Sequence, residues 1–176
     1  MNVDLVKKYL DCTLDKEKLP GLKYVCQKIQ KNEPTYREVS IATGIPWYLI
    51  GAICERESSQ NFNCYLHNGD PLFSSSGAPL KTIHVPKGKG PFQSWQGAAI
   101  DALGMHHDVQ WTMDVMLDWA EKYNGLGYRH KGFPSPYLWS GTSEYKSGKY
   151  TSDGVFSATA IDKQPGVAAM FKFLGV

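Results

Sequence analysis

The stretch IPWYLIGAICERESSQNF, residues 45 to 62, constrains the fold more than any other part of the chain. Gly44 closes the helix before it, and Pro46, suited to a first helical position because its missing N–H is not needed there, opens the next. The result is an apolar helix that ends in charge, with Glu55 and Glu57 in its last turn. At about 100° per residue from Trp47, Leu49, Ile53, Ile50 and Cys54 fall at roughly 200°, 240°, 300° and 340°. Glu57 falls at about 280°, inside that apolar stripe, and Glu55 at about 80°, where solvent is expected. A carboxylate that continues a buried stripe loses hydration, which disfavours its charged form and raises its pKa, as a general acid requires near neutral pH. The competing reading is that the helix frays near Ser58 and Glu57 merely emerges into water.

The rest of the chain reads as helix-rich with one long irregular interruption. Apolar residues at helical spacing predict helices over residues 2 to 12 and 21 to 31, and NEP marks the start of another over about 35 to 43. From Gln60 to about Pro91 the phrases HNGDP, SSSGAP and VPKGKGP alternate with short extended pieces such as LKTIHV, and a β-hairpin with long loops is expected. Helical spacing returns at about Ser94 to Met105 and Asp108 to Tyr123, before an aromatic- and glycine-rich region to Phe156 and a terminal helix near Gly166 to Leu174. The expected fold is mainly α (α+β), with a small β-hairpin and loop region. With 176 residues and no linker or shift in composition, a single domain over residues 1–176 is expected.

Composition narrows the partners. Formal net charge is +2 with scattered basic residues, and PKGKGP reads as a solvated loop, so no nucleic-acid partner is expected. The first residues, MNVDLVKKYLDC, carry charges every few positions, so neither a signal peptide nor membrane insertion is expected. Cys12, Cys26, Cys54 and Cys64 lack CxxC spacing and read as reduced, structural thiols, with Cys54 in the core. His67, His84, His106, His107 and His130 show no compact ligand spacing, so no metal and no cofactor is expected.

Three groups of phrases carry a resemblance. RES (56 to 58) at the end of an apolar helix, then KYNGLGY (122 to 128), resemble the catalytic glutamate and the YNxG phrase of goose-type lysozymes and soluble lytic transglycosylases. RESSQNFNCYLHNGDPL (56 to 72) and SPYLWSGTSEYKSGKYTSDG (135 to 154) resemble a smaller group of phage and bacterial cell-wall lysozymes, so that the likeness covers roughly residues 40 to 175. The GLMQ phrase usual after the catalytic helix of transglycosylases is absent.

The resemblance implies a lysozyme-like domain that cleaves the β-1,4 bond between N-acetylmuramic acid and N-acetylglucosamine of bacterial peptidoglycan. Glu57 matches the catalytic acid, Ser58 the serine beside it, and Tyr123 and Asn124 the residues near the bound sugar. A glycosidase that uses water ordinarily needs a second carboxylate. Asp70 in HNGD is the best candidate, although Asn-Gly-Asp-Pro is also a natural turn. Asp101, Asp114 and Asp118 read as solvated helix residues, and Asp153 before Gly154 as a turn residue.

His67 reads either as a group orienting a cleft carboxylate or as a loop residue without a role. Tyr137 and Trp139, with Tyr128, Phe133 and Tyr145, read as a saccharide-binding wall or as core filling; Met113, Met116 and Trp119 read as core. The expected setting is a monomeric phage endolysin, held in the host cytoplasm until release to the wall at lysis. The alternatives are a lytic transglycosylase, a catalytically silent wall-binding module, and a metal-dependent wall peptidase or amidase.

Overall fold

The computed structural model describes residues 3–152 and 154–176. Along the chain run α1 (Val3–Asp11), α2 (Leu19–Lys31), α3 (Glu33–Thr43), α4 (Trp47–Ser58), α5 (Trp95–Leu103), α6 (Met113–Asn124), α7 (Gly127–His130), α8 (Pro136–Trp139), β1 (Lys149–Ser152), β2 (Val155–Ser157) and α9 (Val167–Leu174). The protein is therefore mainly α with a small antiparallel β part. Among the described residues no helix is long and apolar enough to cross a membrane. The chain divides into two compact units, one of Met1–Gln27 with Gln110–Val176 and one of Lys28–Val109. The first division falls inside α2, between Gln27 and Lys28, where no linker composition marks it.

In the unit Lys28–Val109, α3 packs against both α4 and α5. Every residue from Leu49 to Glu55 on α4 is buried, so this helix has no solvent face along its middle. Gly51 allows the closest approach, since a Cβ there would lie 2.8 Å from Ile29 Cγ2 and 3.1 Å from the Tyr36 ring. Tyr36, Phe62 and Trp95 interlock beside it, with Phe62 and Trp95 centroids 4.6 Å apart. Ser94 caps α5 by accepting from Gly97 N, as a serine before a helical run does.

The hairpin expected between Gln60 and Pro91 does not form. That region holds only the isolated bridges Cys64↔Pro71 and Phe73↔Pro79. Pro71, Pro79, Pro86 and Pro91 each remove a ladder donor, which breaks the pairing into single bridges.

The β part lies instead in the unit formed by the two chain ends. There β1 and β2 pair Lys149↔Ser157, Tyr150↔Phe156 and Ser152↔Val155, with an irregularity between Tyr150 and Ser152. Asp153, expected in the turn, lies outside the described residues, as does the expected helix start at residue 2. In this unit α6 packs on α1, α8 and α9. Cys12 and Cys26 are buried thiols of the unit formed by the two chain ends, Cys54 is a buried thiol of the other unit, and Cys64 is half-buried.

Candidate functional site

The end of α4 is built differently from the helical wheel. Glu55, expected in solvent, is only 6% exposed, and Glu57, expected in the apolar stripe, is half-buried. The wheel assumed one buried face, whereas α4 is buried all round from Leu49 to Glu55 and opens only from Arg56 to Ser58. Position along the helix, not angle around it, therefore decides which glutamate reaches the surface.

Glu55 belongs to a buried polar network. Gln60 Nε2 donates to its Oε2 at 2.9 Å, while Tyr36 Oη and Asn32 Nδ2 donate to Gln60 Oε1 at 3.3 and 3.4 Å. The network holds an unusual backbone, because Ser59 (φ 52) and Gln60 (φ 57) are consecutive non-glycine residues in the left-handed region. Such residues cost free energy and persist only where the surroundings fix them. Ser59 N and Gln60 N satisfy the carbonyls of Glu55 and Cys54, and Lys28 Nζ donates to Ser59 O at 2.8 Å. Glu57 is thus presented from the last helical turn immediately before a strained, braced reversal. Ser58 Oγ donates to Cys54 O at 3.1 Å, which ties it to its own helix.

Burial pushes the Glu55 carboxyl above the usual range, with the Gln60 hydrogen bond opposing. A glutamate whose pKa is raised on folding binds more protons in the native state, so stability is greatest below that pKa and falls as pH rises through it. Glu55→Gln is expected to remove this decline in melts from about pH 4 to about pH 8, with wild-type stability or better at the upper end. An unchanged slope would place the proton elsewhere.

Asp70 is almost wholly committed to its own loop. Its Oδ2 accepts from Ile83 N (2.8 Å), His84 N (2.9 Å) and Asn68 Nδ2 (3.0 Å). Its Oδ1 meets His84 Nδ1 at 2.5 Å, and because an ionised carboxylate only accepts, that nitrogen carries the proton. The His84 backbone N–H first, with the His84 ring and Ile83 N–H, holds the carboxyl down at about 2. A base this weak, with both oxygens occupied, is poorly suited to activating water.

The contribution of Asp70 to stability is present above the ordinary aspartate range and is lost as pH falls towards about 2. In Asp70→Asn the carboxylate charge is lost, and the new NH₂ either opposes the backbone N–H groups or forces the His84 ring into its other tautomer, so the mutant is expected to melt lower at neutral pH. It should also lose part of the acid-limb slope and be cut faster by protease between residues 82 and 89. Wild-type melting and protease resistance would remove the anchoring role.

His67 meets a carboxylate, but on α5. Its Nε2 lies 2.8 Å from Asp101 Oδ2, which also binds Lys89 Nζ at 3.0 Å. Hydrogen bonding from Lys89, then from His67, lowers the Asp101 pKa, so the ring donates from Nε2. The ring stacks on Phe92 at 6.5 Å and meets the Tyr65 ring edge-on, and its buried Nδ1 has no hydrogen-bond partner among the described residues.

Of the other aspartates expected in solvent, Asp101 is exposed, Asp114 is buried and Asp118 is half-buried. Asp101 is ion-paired, Asp114 is buried beside the Thr112 hydroxyl, and Asp118 binds Lys122 and Arg129.

In the unit of the chain ends, Tyr137 and Trp139 are 2% and 3% exposed. Neither presents an open ring face to solvent, and both fill the core around α8. Tyr145 Oη donates to Gly148 O and accepts from Asp162 N, and Tyr128 Oη accepts from Tyr150 N, so these rings brace the irregular segment. Tyr123 is half-buried and Asn124 exposed at the end of α6. Tyr123 packs on Trp119 at 5.5 Å, and Trp119 meets Trp111 edge-on at 5.6 Å. Tyr123, expected near the bound sugar, and Trp119, expected in the core, thus join Trp111 in one half-exposed aromatic series. The signal was the i, i+4 spacing of Trp119 and Tyr123, which also fits a core stripe.

No protein-family model, curated protein or solved structure matches the chain.

Proposed function

We propose that the protein is a peptidoglycan-degrading glycosidase in which Glu57 is the general acid. The observation that carries this reading is a glutamate delivered to the half-exposed end of an otherwise enclosed helix and followed by a braced left-handed turn. The RES phrase, which resembles that of lysozyme-type enzymes, points to the same residue. Glu57 protonates the glycosidic oxygen as the C–O bond breaks and positive charge develops on the sugar ring.

The occupied carboxylate of Asp70 supports a second reading of the same site. Without Asp70 as base or nucleophile, either a water held by neutral polar groups or the sugar's own hydroxyl completes the reaction. The first is hydrolysis and the second is lytic transglycosylation. The setting we propose is release to the wall at host lysis, as for a phage endolysin.

Mass spectrometry of peptidoglycan digested with the protein separates the outcomes. Reducing-end muropeptides would establish hydrolysis and 1,6-anhydro ends transglycosylation. Freed peptides would replace the reading by a peptidase or amidase, and no products would leave a binding module.

A further inference from the structure

We propose that the loop of residues 82–89 is a peripheral docking element for an anionic lipid surface. Ile83 and Val85, which a half-buried strand would alternate with polar positions, are 65% and 86% exposed. Large aliphatic side chains held this far into water on one loop form a local apolar tip, and such tips mark contact surfaces.

The loop is ordered before any partner arrives. Thr82, buried at its base, donates N–H to Lys89 O, accepts from Gly88 N on its carbonyl, and bonds through Oγ1 to Lys89 N and Pro86 O. Asp70 takes the N–H groups of Ile83 and His84 from the other side. Preorganisation lowers the entropy cost of inserting the tip, because the aliphatic pair cannot fold back to hide itself.

Charge decides the class of partner. No aspartate or glutamate occurs from Pro71 to Ile100, while Lys81, Lys87 and Lys89 and His84 do. Lys89 is engaged by Asp101, but Lys81 and Lys87 are exposed and make no ion pair among the described residues. An aliphatic tip flanked by uncompensated lysines matches the boundary between anionic headgroups and acyl chains, where each lysine near the surface strengthens binding several-fold. A purely polyanionic partner, such as a soluble phosphate polymer, would use the lysines and leave Ile83 and Val85 without a role. This contact is shallow and adds a surface interaction to a chain for which no membrane insertion was expected.

The test is co-sedimentation of the full chain with vesicles of phosphatidylcholine alone or mixed equally with phosphatidylglycerol. Wild type should bind the mixed vesicles and not the neutral ones. Ile83→Ser with Val85→Ser should lower the partition coefficient at least about tenfold, and Lys81→Gln with Lys87→Gln by about thirtyfold at low salt. All four positions are exposed, and matching melting curves confirm that each variant is folded. The proposal is overturned if wild type ignores the mixed vesicles or if both variants bind as wild type does. It is equally overturned if only the lysine variant loses binding, because that result describes a polyanion patch. None of these readouts depends on glycosidase activity, so the proposal and the catalytic reading can fail separately.

Discussion

Glu57→Gln is expected to lower glycan cleavage by at least about 100-fold, the lower end of the ~10²- to 10⁴-fold contribution of a general acid. Glutamine keeps the shape and most hydrogen bonds of the side chain but cannot donate the carboxylic proton. Melting temperature should stay level or rise, since a partly desolvated carboxylate is replaced by a neutral group. The informative control is Glu55→Gln. Burial raises the pKa of Glu55, a property often associated with catalytic acids, yet its carboxylate is enclosed and held by Gln60. Digestion of purified peptidoglycan, followed by reducing-end or anhydro-end release across pH, should show Glu57→Gln depressed at every pH and Glu55→Gln near wild type. The reverse pattern would transfer the acid to Glu55 and sink the site proposed here.

The helices α1 to α6 and α9 could be read from period, prolines and caps, because amphipathic spacing is a local property of the chain. The state of the two glutamates could not. Glu55 lies on a face that a wheel assigns to water, and only the packing of α4 on every side buries it. The hairpin was misplaced for a related reason. LKTIHV has strand composition, but the prolines around it remove donors and the Asp70 carboxylate takes the N–H groups of Ile83 and His84. The aspartate in HNGD was legible as a turn residue; that it also reaches 13 and 14 positions along the chain was not. For the aromatic residues, composition gave the density and no direction. Tyr137 and Trp139 turned inward, whereas Trp111, Trp119 and Tyr123 remained half-exposed.

Trp139→Ala is expected to cost about 3 to 5 kcal/mol, the range for truncating a buried Trp or Phe. The indole sits in α8 at 3% exposure and lines a cavity of about 280 Å³ with Leu5, Phe133 and Ser135. Removing the ring leaves a void beside that surface pocket, and the neighbours recover only part of the loss by relaxing into it. Against a total stability of ~5–15 kcal/mol this is a large fraction, and at ~2–4 °C per kcal/mol the melting temperature should fall by roughly 10 °C. Trp139→Phe, which keeps an aromatic ring in the same place, should recover most of the loss. Calorimetry is the suitable probe because the chain has two compact units, and a loss confined to one of them would split the transition. Saccharide affinity, measured per folded molecule, should be unchanged in Trp139→Ala if the ring is core filling. A mutant that melts like wild type but no longer binds muropeptide chains would mean that Trp139 belongs to the binding wall after all.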